Sequence, residues 1–187
     1  MSSINIIFVR HGEAASPWQD HDDPGLSNLG RKQSKKLINN KLLKSLSDYD
    51  FISSPKKRAI ETSSPLSRFF KKEVKINHSF TEIPSNNIEK SKKNIWLKNI
   101  VKIDKVDLPS NIIQWSEKVF EETISFKKNT IIFSHFMVLN SLVSKLTKNK
   151  SILCYYPDYT STLILKIENE RITSFSIDGE KKTHINL

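Results

Sequence analysis

The stretch Ile4-Asn5-Ile6-Ile7-Phe8-Val9-Arg10-His11-Gly12-Glu13 sets an apolar run directly ahead of a charged tetrad. A run of this kind predicts a strand buried on both faces of a parallel sheet. Its abrupt stop places Arg10 and His11 at the strand's carboxyl end, where α/β folds build ligand crevices. A polar loop rich in turn formers follows, from Ser16 to Gly25.

Beyond that loop the pattern alternates. Ser27 reads as the N-cap of a helix reaching about Leu46, with Leu37, Ile38, Leu42 and Leu46 inward and Lys35, Lys36, Lys41 and Lys44 outward. Asp50 to Ser54 predicts a second strand. Pro55 then opens a helix carrying Arg58, Ala59, Thr62, Leu66 and Phe69. Val74 to Ile76 predicts a third short strand, and residues 83–109 a short helix-containing insertion or lid. Helical spacing returns from Ile112 to Phe126. A strand over Thr130 to Phe133 ends at Ser134-His135, ahead of a helix through Leu139, Leu142, Val143 and Leu146. Thr162 to Ile167 and Arg171 to Ile177 flank Glu168-Asn169-Glu170 as a hairpin. The expected fold is a single α/β domain over 1–187. It is a three-layer sandwich with a mostly parallel central sheet, helices on both faces and a C-terminal β-hairpin.

The net charge is +10 over 187 residues. The basic residues are spread along the chain without an aromatic-interleaved block, which argues against a nucleic-acid partner and for an anionic substrate. Cys154 is the only cysteine, so no internal disulfide is possible. The first residues show neither a basic n-region nor a long apolar run. A cytoplasmic protein without a membrane partner is expected. Oligomeric state is not readable, although the hairpin offers an edge for pairing.

Three polar clusters fall at strand ends: Arg10-His11, Ser53 to Arg58, and Ser134-His135. Two histidines and two arginines sharing one crevice are costly unless an anion joins them. Phosphate matches the planar fork of arginine, and helix N-termini add backbone donors.

Arg10-His11-Gly12-Glu13, Leu26-Ser27-Asn28-Leu29-Gly30, Ser53 to Thr62 and Ser134-His135, in that order, closely resemble the histidine phosphatase superfamily, which includes the phosphoglycerate mutases. The resemblance implies His11 as nucleophile, forming a phosphohistidine that water hydrolyses. It implies Arg10, Arg58 and His135 as holders of the phosphoryl oxygens. It also implies an acidic residue as proton donor to the leaving oxygen, with Glu82 at the matching place and Glu89 as the other candidate. Arg10 and Arg58 should keep His11 neutral, while its second ring nitrogen donates to a backbone carbonyl. Glu13 is expected to support the loop. Ser16 and Gln19, with Trp18, are candidate substrate contacts.

The chain departs from the family pattern in places. Phe136 stands where glycine usually follows the second histidine, and should narrow or re-line the pocket or displace that backbone. The extended basic lid of the mutases is missing. His21-Asp22-Asp23 has no recognised metal-ligand spacing, and neither metal nor cofactor is expected. A phosphatase acting on a small metabolite or a phosphorylated protein side chain is favoured over a mutase-type phosphotransferase. The alternative from another class is a non-catalytic phospholigand or nucleic-acid binder on the same fold.

Overall fold

The computed structural model describes residues 3–17, 20–85 and 87–180. Six strands form one sheet among them: β1 (Ile4–Arg10), β2 (Asp50–Ser53), β3 (Val74–Ile76), β4 (Thr130–Ser134), β5 (Pro157–Glu168) and β6 (Arg171–Glu180). Their order is β3-β2-β4-β1-β5-β6. The first four run parallel, and β5 and β6 are antiparallel additions at one side. The helices are α1 (Asn28–Lys36), α2 (Lys57–Phe70), α3 (Lys93–Ile100), α4 (Ser110–Ser125) and α5 (Phe136–Leu146).

Alternation along β1 divides the core in two. Ile6 and Phe8 pack with Val119 of α4 and Val138, Leu139 and Leu142 of α5. Ile7 and Val9 face the other way, onto Leu37, Leu43, Leu46 and, from α2, Ala59 and Leu66. Each face is therefore covered, as the doubly apolar strand requires. A third cluster joins Ile83, Leu97, Ile100 and Leu108 to Phe136 and Met137 at the start of α5, so the 83–109 segment is packed onto the strand-end side of the domain through that helix.

Ser27 caps α1 as expected, its hydroxyl accepting from Gly30 N at 2.9 Å. The helix does not run to Leu46. It ends at Lys36 and continues as 3-10 turns over Leu37–Asn39 and Lys41–Leu43. The break is at Asn40, which is extended and caps Leu42 N with its own side chain, a bond that competes with the helix ladder. The 3.6-residue period is lost there, so Leu42 is exposed and Leu43 takes the buried place.

Pro55 precedes α2 rather than opening it. The first helical residue is Lys57, whose N–H is capped from outside the helix by Asp23 Oδ1 at 2.9 Å. Pro65 inside α2 removes the donor that Glu61 O would normally receive. Ser34 Oγ lies 3.4 Å from that carbonyl and 3.0 Å from Thr62 O, stitching α1 to the irregular turn.

Candidate active site

The site forms where β1, β2 and β4 end together. His11 N donates to Ser134 O at 2.9 Å and Ser54 N donates to Phe133 O at 3.0 Å, so sheet register extends past the strands and locks the three polar ends side by side. Arg58 enters from α2 on the stripe that also buries Ala59, Thr62 and Leu66.

His11 is held from both ring nitrogens. Nδ1 lies 2.7 Å from Gly12 O, and Arg58 Nε donates to Nε2 at 3.1 Å. A guanidinium can only donate, so Nε2 is the unprotonated nitrogen and Nδ1 carries the hydrogen. Burial, then the charges of Arg58 and Arg10, hold the His11 pKa well below the usual imidazole range. The backbone bond to Gly12 opposes this without reversing it.

The loop that carries His11 is fixed by close packing. Gly12 N donates to Thr62 Oγ1 at 3.0 Å, and Thr62 Oγ1 donates to Arg58 O at 2.6 Å. Glu13 N donates to Gln33 Oε1, and Glu13 Oε1 accepts from Ser27 Oγ at 2.6 Å, so Glu13 braces the loop against α1. Gly12 and Gly30 meet backbone to backbone. A Cβ on Gly12 would lie 2.8 Å from Gly30 O, and one on Gly30 would lie 2.1 Å from Glu13 O.

His135 is fully buried, with its ring centroid 5.2 Å from that of His11. Its Nε2 lies 2.7 Å from Ser54 Oγ. Burial first, and then Arg58, lower its pKa well below the usual range. Arg10 donates from Nη1 to Pro157 O at 2.7 Å. Its guanidinium lies between Phe136, 5.0 Å from the ring centroid, and Tyr159, at 4.2 Å. Phe136 thus re-lines the pocket by stacking on an arginine, and the strand end before it keeps its sheet pairing.

Glu82 reaches the same crevice. Its Oε1 accepts from Ile83 N at 3.0 Å and from Met137 N at 3.1 Å, in the first turn of α5. Burial raises its carboxyl pKa, against the pull of these bonds and of Arg58 and Arg10. Glu89 lies elsewhere, exposed and paired with Lys92 and Ser91. Ser16 makes no hydrogen bond to the cluster among the described residues, and Trp18 and Gln19 lie outside them.

The sequence reading therefore named five side chains that the fold brings together: Arg10, His11, Arg58, Glu82 and His135. It missed Ser54 and Thr62 as partners, although both lie in the quoted Ser53–Thr62 stretch. Tyr159 went unread as well; its one signal was the density of aromatics in Tyr155-Tyr156-Pro157-Asp158-Tyr159.

Neither Arg10 nor Arg58 forms an ion pair among the described residues. Arg10 Nε and His135 Nδ1 are buried without a hydrogen-bond partner there. Two buried guanidinium groups, two neutral imidazoles and one carboxyl leave the crevice positive, which suits a multiply charged anion. Among the described residues no group of three or more His, Cys, Asp or Glu side chains is placed to hold a metal ion. No helix there is long and apolar enough to cross a membrane.

A family model for the histidine phosphatase superfamily (branch 1) matches residues 6–177. No curated protein matches the chain. Among solved structures, Bacillus stearothermophilus YhfR is similar with a TM-score of 0.75 at 17% identity, covering 95% of this chain and 98% of that one. The phosphoserine phosphatase of Entamoeba histolytica, in complex with 3-phosphoglyceric acid, gives 0.70 at 20% identity, covering 97% and 98%. The native mycobacterial glucosyl-3-phosphoglycerate phosphatase gives 0.68 at 16% identity, covering 95% and 98%. At these identities the likeness is one of fold.

Proposed function

This chain belongs to the histidine phosphatase superfamily, and we propose that it acts there as a phosphomonoesterase with His11 as nucleophile. The observation that carries the reading is the His11 ring: Nδ1 tied to Gly12 O, and Nε2 left with a lone pair beside Arg58. An imidazole held neutral in one tautomer is ready to attack phosphorus.

In the first step Nε2 bonds to phosphorus in line with the breaking P–O bond. Arg58 and Arg10 turn their donors to the equatorial oxygens as charge spreads over them. His135 Nδ1 and Arg10 Nε, which lack hydrogen-bond partners among the described residues, supply further polar contacts to those oxygens. Glu82, whose carboxyl pKa is raised by burial, gives its proton to the leaving oxygen. In the second step Glu82 takes a proton from water as the water attacks the phosphohistidine, releasing phosphate and restoring Nε2. The substrate is a phosphomonoester of a small metabolite or of a protein side chain.

The test is release of inorganic phosphate from a panel of phosphomonoesters, with and without 2,3-bisphosphoglycerate. Hydrolysis abolished in His11→Ala supports the reading. Isomerisation of phosphoglycerate stimulated by the bisphosphate would instead make the chain a mutase. A protein that binds phosphate and turns over nothing would be a binder on an enzyme fold.

A further inference from the structure

The chain around Tyr159 is built irregularly, and the irregularity faces the site. In the β5–β6 ladder Pro157 pairs with Glu180 and Thr162 with Asp178, so residues 158–161 stand opposite the single Gly179. Gly179 has φ +83°, and a Cβ there would come within 3.0 Å of Ser161 Cβ. Thr160 adopts φ +61°, a left-handed conformation that a β-branched residue rarely takes. Strained positions of this kind persist where surrounding structure holds them, and they concentrate at functional sites.

The bulge wraps Arg10. Pro157 O accepts from its Nη1 at 2.7 Å, while the Tyr159 ring covers its guanidinium face at 4.2 Å. Asp158 Oδ1 accepts from Tyr159 N at 2.8 Å, and Thr160 Oγ1 donates to Tyr159 O at 2.6 Å, so the turn is braced on both sides of the tyrosine. The Tyr159 ring centroid lies 6.2 Å from that of His11. The tyrosine ring thus stands against Arg10 and beside His11, at the edge of the same crevice.

We propose that Tyr159 contacts the substrate: its ring fixes the Arg10 guanidinium against Phe136, and its hydroxyl donates to the phosphoryl group held between Arg10 and Arg58. This rests on the reading of the site as a phosphate pocket, and it adds a residue outside the three strand-end clusters and Glu82.

The experiment is calorimetric titration with orthovanadate, joined to kcat/KM for p-nitrophenyl phosphate, on wild type, Tyr159→Phe and Tyr159→Leu. Tyr159→Phe keeps the ring and removes one hydrogen bond to an anion. It should lose roughly tenfold in vanadate affinity and in kcat/KM, with Tm unchanged. Tyr159→Leu also frees the Arg10 face and should lose several-fold more. If wild type binds vanadate and Tyr159→Phe binds it equally well, the hydroxyl makes no such contact and the proposal is overturned. If wild type itself binds no vanadate, the phosphate pocket fails first and the role of Tyr159 falls with it.

Discussion

Thr62→Val isolates the bond that fixes the His11 loop. Valine matches the shape of threonine but offers no acceptor to Gly12 N, which is donated to Thr62 Oγ1 at 3.0 Å in a buried setting. The other end of the network is less exposed to loss, because Arg58 O lies within α2 and keeps its helical acceptor role. The change therefore orphans one buried N–H, at a cost of about 1–3 kcal/mol. For a chain of this size each kcal/mol moves Tm by about 2–4 °C, so a fall of roughly 2–12 °C is expected. Loss of activity should exceed what stability explains, since Gly12 O, on the same residue as the orphaned N–H, orients the His11 ring. Thermal melts, urea unfolding and phosphatase assays on Thr62→Val and Thr62→Ser make the comparison. Serine keeps the oxygen and should retain most activity. Equal stability and activity for valine and wild type would refute the argument that this hydroxyl holds the nucleophile loop.

Gly30→Ala should be worse tolerated than an ordinary helix alanine, although alanine is the better helix former. Its Cβ would meet Glu13 O at 2.1 Å, so the loop must move; a destabilisation of about 1–3 kcal/mol with loss of activity is expected in thermal melts and assays. The pH profile of kcat/KM should fall on the acid side only below the usual imidazole range, because His11 resists protonation, and on the alkaline side as Glu82 ionises above the usual carboxyl range. Glu82→Gln should remove the alkaline limb and cost about 10²–10⁴-fold with substrates of poor leaving ability. Stability should move in the matching sense. The folded pKa values of His11 and His135 lie below their unfolded values, so their contribution is full above about pH 6.5 and is lost as pH falls, when the unfolded chain takes protons that the folded one refuses. Glu82, with a raised folded pKa, contributes in the opposite sense: its stability is present at low pH and is lost as pH rises through the folded value.

Strand ends were the legible part of this chain. Unbroken apolar runs such as Ile4–Val9 and Thr130–Phe133 have one reading in an α/β protein, and the polar residues behind them follow from sheet geometry. Helix limits were less legible, since Asn40 breaks α1 through a side-chain bond that no periodicity encodes. Site residues with distinctive chemistry, His11 and Arg58 among them, could be read locally. Ser54, Thr62 and Tyr159 could not, because their placement depends on partners 81, 50 and 149 positions away in the chain: His135, Gly12 and Arg10. A hydroxyl's role is set by what folds against it, and a bulge is visible only once β5 and β6 are paired.

On the proposed mechanism the phosphoryl group passes to His11 Nε2. Rapid acid-free quenching during turnover of a labelled phosphomonoester, followed by peptide mapping, tests it most directly. The expected result is an acid-labile, base-stable phosphate on the peptide that carries His11, absent in His11→Ala. Turnover that continues in His11→Ala, or label that accumulates on any other residue, would contradict it.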